Sequence, residues 1–72
     1  MDTNIMEVSA DGLKISLMDG SLWQPVHVED LIKTIRWYRT QQIKISVNNE
    51  GKYELINLDT TTPDKIEVSR IF

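Results

Sequence analysis

The chain has no cysteine, one histidine (His27), one phenylalanine, three glycines and two prolines. Without cysteine it forms no disulfide, and a lone histidine without thiols supplies no structural zinc site. A chain of 72 residues buries only about 60% of the surface its unfolded form exposes. The core, helped by any self-association, must therefore hold the fold. No apolar run exceeds two residues, so no transmembrane helix is possible. The segment Met1-Asp2-Thr3-Asn4 lacks a basic n-region. As written the chain reads as cytoplasmic, and as exported if a leader precedes it. The net charge of −3 and pI near 4.9 argue against a nucleic-acid partner, since such binders carry the opposite balance.

Catalytic constellations are also missing. There is no cysteine nucleophile, and one histidine cannot support a Ser-His-Asp argument. Gly12 and Gly20 each follow an aspartate and Gly51 closes Asn48-Asn49-Glu50-Gly51, so none belongs to a phosphate-binding loop. Asp11, Asp19, Asp59 and Asp64 lie in turn-like segments that favour aspartate for backbone reasons. A non-enzymatic protein with no cofactor and no metal is expected.

What the sequence does contain is a rhythm of turns. Asp11-Gly12, Asp19-Gly20 and the Asn48–Gly51 run separate short segments with β character. Asp-Gly between such segments signals a hairpin, and a type I′ turn there demands positive φ at both central residues. Ile5 to Ser9 has β character. Leu13, Ile15 and Leu17 alternate with Lys14 and Ser16, and Leu22 to Val26 forms the next segment. Pro25 pushes that strand to an edge or ends it early. Ile43, Ile45 and Val47 alternate with Gln42, Lys44 and Ser46. Lys52 to Leu58 carries apolar residues on both faces and reads as a central strand. Asp59 to Asp64 is a loop, and Ile66 and Val68 mark a last strand.

Residues 28–38 break the pattern. Val28, Leu31, Ile32, Ile35 and either Trp37 or Tyr38 fall at helical spacing. Glu29 and Asp30 at the start, with Arg36 and Arg39 near the end, suit the helix dipole. His27 is a poor N-cap. These segments together predict a mainly β fold, a small antiparallel five- or six-stranded barrel of SH3-like kind. It forms one domain over residues 1–72, with one short helical insert near residues 28–38.

The stretch Ile15-Ser16-Leu17-Met18-Asp19-Gly20-Ser21-Leu22-Trp23, with Asp30, Trp37 and Ile43-Lys44-Ile45-Ser46-Val47 after it, resembles small bacterial β-rich proteins of unknown function. These share a strand, an Asp-Gly-Ser turn, a Trp-bearing strand, a second Trp and an Ile-x-Ile/Val strand. The resemblance covers Ile15 to Val47 and implies a compact β-barrel, exported in some relatives. It carries over no catalytic residue. Pro25 in the third strand and Thr40-Gln41 in place of a Gly-containing turn depart from the pattern.

Each candidate site has a plainer rival. Trp23 fits a stacking platform, but core packing is favoured, since a small core gains most from a large ring. Lys33, Arg36 and Arg39 fit a basic stripe, with a solvated helix face favoured. His27, Glu29 and Asp30 fit exposed polar residues better than a metal cluster. Trp37 and Tyr38 are adjacent, so on a helix they cannot both face inward. One ring in the core and the other over its rim is the plain reading. Arg36, Trp37, Tyr38 and Arg39 remain the best candidate partner-binding residues, because arginine and large aromatics favour interfaces. The expected function is protein-protein interaction or self-association. The alternatives are a nucleic-acid-binding SH3-like or OB-like barrel and a cell-envelope domain.

Overall fold

A computed structural model describes residues 2–61 and 63–72. Among these, six strands close into one antiparallel barrel: β1 (Asp2–Val8), β2 (Ile15–Leu17), β3 (Leu22–Pro25), β4 (Gln42–Val47), β5 (Tyr53–Asn57) and β6 (Asp64–Arg70). The order around the barrel is β1-β2-β3-β6-β5-β4, with β4 pairing back onto β1. Closure removes the exposed edges that endanger a small sheet. The two longest strands make it possible. β1 pairs with β4 through Asp2–Asn4 and with β2 through Ile5–Val8. β6 pairs with β5 through Asp64–Val68 and with β3 through Val68–Arg70.

Alternation sets the core. Ile5, Ile15, Leu17, Trp23, Ile43, Leu55, Ile66 and Val68 point inward and are buried. Trp23 therefore lies in the core, as expected. β1 escapes strict alternation because a bulge separates Ile5, opposite Leu17, from Glu7, opposite Ser16. The extra residue, Met6, lies exposed, and Val8 rather than Glu7 packs against the core. Pro25 is the last residue of β3 and pairs with Val68. It does not put β3 at an edge, since β3 pairs with both β2 and β6, and the Val26 amide still donates to the Glu67 carbonyl at 3.0 Å just beyond it.

The turns are hairpins of a different type from that expected. A type I′ turn at Asp11-Gly12 or Asp19-Gly20 needs positive φ at both residues, but only the glycines lie there. Between the last bonded pairs, Leu17–Ser21 and Asn48–Lys52, the β2–β3 and β4–β5 connections are three-residue loops. In each, the glycine amide bonds back three residues (Gly20 N to Leu17 O, Gly51 N to Asn48 O) and the glycine closes the loop in left-handed conformation. The preceding polar side chain caps the turn. Asp19 accepts from the Ser21 amide, and Asn48 accepts from the Glu50 and Lys52 amides.

Between β3 and β4 lies the helical insert. Val28–Asp30 forms a 3-10 turn that runs into one α-turn, α1 (Leu31–Thr34). Helical bonds carry on through Arg36 N to Lys33 O and Trp37 N to Thr34 O. His27 supplies no side-chain cap. The chain then turns at Thr40, the one non-glycine described residue with positive φ, at 77°.

Candidate functional site

The insert buries only part of its apolar surface. Thr34 and Trp37 point into the protein and Leu31 is half-buried. Thr34 Oγ1 donates to the Gly12 carbonyl at 3.0 Å. Gly12 itself lies so close that an added Cβ would sit 2.5 Å from Thr34 Oγ1 and 2.9 Å from Ile35 Cγ2. The insert thus docks on bare backbone through the Thr34 hydroxyl and the Ile35 side chain. Trp37, 4% exposed, joins the core cluster, and its Nε1 donates to Asp64 Oδ2 at 3.1 Å. Asp64 starts β6, whereas Trp23 pairs across from Arg70 at the end of that strand. Asp64 and Arg70 lie about 20 Å apart along β6 at strand rise, so the two tryptophans pack into one core cluster from opposite ends of that strand.

The outer face is what this docking leaves behind. Val28 is 77% exposed, Ile32 65%, Ile35 54% and Tyr38 63%. Residues 28, 32 and 35 have the i, i+4, i+7 spacing of a helical stripe, with Val28 on the 3-10 turn, Ile32 in α1 and Ile35 at its C-cap. Leu13, beside the Gly12 contact point, is exposed as well. Such spacing ordinarily marks the face turned to the core. Here it faces outward.

Of the four candidate partner-binding residues, Arg36, Tyr38 and Arg39 lie exposed, whereas Trp37 is internal and fixes the insert in place. Arg36 and Trp37 also line a shallow polar hollow of about 340 Å³ with Asp59, Thr60, Thr61 and Asp64. Its acids have work already: Asp59 accepts the Gln42 amide and Asp64 the Trp37 indole. Lys33 is tied to Asp30 at 3.5 Å and reaches the Lys65 carbonyl, which interrupts the basic stripe. His27 is exposed and faces Glu67 at 3.7 Å rather than Glu29 or Asp30. Among the described residues no three potential metal ligands cluster.

A second surface was not legible in the sequence. An open groove of about 470 Å³ is lined by Val26, Tyr53 and Val68 with Lys52, Glu67 and Arg70. Tyr53 meets Trp23 edge-on, with ring centroids 5.1 Å apart, and the Arg70 guanidinium lies 5.5 Å over the same indole. Strand pairing brings these residues together from distant positions, so no spacing announces them. The groove's charges are largely answered from within. Glu67 bridges His27 and Lys52, at 3.7 and 3.9 Å. Arg70 acts on Asp19. Burial pushes the Asp19 carboxyl up, but the Ser21 hydroxyl and amide, with Arg70's charge, outweigh it and hold it below its usual value.

The remaining polar interior is structural. Asn57 donates to Gln41 Oε1 at 2.8 Å and accepts the Asp59 amide, and the same Gln41 oxygen accepts the Tyr38 amide. Trp23 Nε1 donates to Ser21 Oγ, which donates to Asp19. Among the described residues every buried side-chain polar atom has a partner, so none waits for a ligand. Searches of protein families, curated proteins and solved structures find no match to this chain.

Proposed function

We propose that this protein is a non-enzymatic barrel module, SH3-like in scale, that acts by protein contact through the outer face of its helical insert. The observation that carries this reading is the exposure of Val28, Ile32 and Ile35. Fully burying such a side chain contributes roughly 1.5–3 kcal/mol. Scaled by exposures of 77%, 65% and 54%, the stripe leaves roughly 4 kcal/mol of burial unused. Contiguous exposed apolar surface of this kind marks interaction sites in soluble proteins. Tyr38, Arg36 and Arg39 flank it with residue types that favour interfaces.

The groove beside Tyr53 is the weaker rival, because its charged groups already pair with one another. The nucleic-acid reading draws little support, since Lys33 is held by Asp30 on an acidic protein.

Site-specific photo-crosslinking in living cells tests the contact face. A benzophenone side chain at position 32 is expected to give covalent adducts with protein, either a second copy or another chain. The same group at position 50, on the β4–β5 turn, serves as the control. Absence of adducts at position 32, or equal adducts at both, overturns the reading.

A further inference from the structure

Resting on that reading, we propose that the occupant of the stripe is a second copy of this chain, paired antiparallel about a two-fold axis beside Ile32. The charges at the two ends of the stripe select that pairing. Glu29 and Arg36 are both exposed and stand seven residues apart. Glu29 lies in the 3-10 turn and Arg36 just past α1, so the two bracket the stripe at its opposite ends. One is an acid at the start of the insert and the other a base at its end. Among the described residues, no cation lies within ion-pair distance of Glu29 and no acid within that distance of Arg36.

A two-fold axis perpendicular to the helical axis and lying in the interface reverses the direction of the insert but keeps its flanks. Ile32 then meets Ile32 of the partner subunit. Val28 meets Ile35 of the partner subunit, and Glu29 meets Arg36 of the partner subunit, each contact made twice. Isologous pairing of this sort needs a self-complementary patch, and this patch is one in both hydropathy and charge. A parallel two-fold keeps the direction of the insert but swaps its flanks, so neither Glu29 nor Arg36 meets an opposite charge on the partner subunit. Charge therefore selects the antiparallel form. Lys33 and Asp30 take no part, since they pair within the chain.

The stripe is small beside a standard interface, so the pairing is expected to be weak, with Kd on the order of 100 μM. Sedimentation equilibrium from about 10 μM to 1 mM reads it. The wild type is expected to dimerise and Ile32→Lys to stay monomeric. Glu29→Arg alone and Arg36→Glu alone each place like charges together twice, and each is expected to weaken self-association about tenfold or more. Mixing the two single variants restores both ion pairs in the heterodimer, as does combining both changes in one chain.

A wild type that stays monomeric at 1 mM overturns the self-pairing. The contact face itself is then judged separately, by whether position 32 crosslinks to a different protein. Association that Ile32→Lys abolishes but mixed charge variants fail to restore overturns the antiparallel geometry and leaves the face standing. Far-UV circular dichroism of each variant confirms that the barrel is intact.

Discussion

Replacing Gly12 with alanine is expected to destabilise the protein by about 2–4 kcal/mol, and the size can be worked from three parts. Gly12 sits at φ +76°, where an L side chain costs roughly 1–2 kcal/mol. Restricting the unfolded chain returns about 0.4–1 kcal/mol of that. The new methyl would lie 2.5 Å from Thr34 Oγ1 and 2.9 Å from Ile35 Cγ2, so the insert must move off its seat. Moving it breaks the bond from Thr34 Oγ1 to the Gly12 carbonyl, and an unsatisfied buried group costs about 1–3 kcal/mol. Gly20 and Gly51 supply the control. Both have positive φ, at 92° and 78°, yet nothing lies within 4 Å of an added Cβ. Their alanine variants carry only the backbone term and are expected to lose about 1 kcal/mol. Urea unfolding followed by tryptophan fluorescence measures all three. Equal losses at Gly12, Gly20 and Gly51 would refute the claim that the insert docks on bare backbone.

Further expectations come from single features. Thr40→Gly relieves a β-branched residue at φ 77° and is expected to stabilise by about 1 kcal/mol; a lower urea midpoint would contradict this. Asn57→Leu strands the Asp59 amide and removes the Asn57 bond to Gln41, with an expected loss of about 2 kcal/mol by the same assay. The Asp19 carboxyl is held below its usual 3.8 in the folded protein. Its contribution is thus present above that value and fades as pH falls through the lower folded value. Asp19→Asn is expected to flatten the loss of stability below about pH 4 in an acid series, and an unchanged slope would contradict the role given to the Ser21 bonds.

The strands were legible because alternation is a local signal. Ile43 with Ile45, and Ile66 with Val68, showed which side faces in without knowledge of any partner strand. The bulge at Met6 was not, because an extra residue is visible only against the strand opposite. Turn positions were readable from Asp-Gly, but turn type was not: three-residue loops and type I′ turns use the same glycine and differ in the conformation of the residue before it. The insert marks the plainest limit. Val28, Ile32 and Ile35 have the spacing of a core face, yet Thr34 and Trp37 take the inner side. The seat is the Gly12 backbone, 22 residues before Thr34, which no helical periodicity within 28–38 encodes. Of the candidate contact residues, one of the Trp37–Tyr38 pair had to be exposed, and the structure assigns that place to Tyr38.

A contact face on the insert requires that the apolar stripe lie outside the fold. Unfolding free energies of Ile32→Lys and Trp37→Ala, measured in urea at micromolar protein where self-association is negligible, test that most directly. Ile32→Lys is expected to stay within about 0.5 kcal/mol of wild type, as an exposed site does, and Trp37→Ala to lose about 3–5 kcal/mol. A loss of about 2 kcal/mol or more from Ile32→Lys would place the stripe in the core and contradict the account.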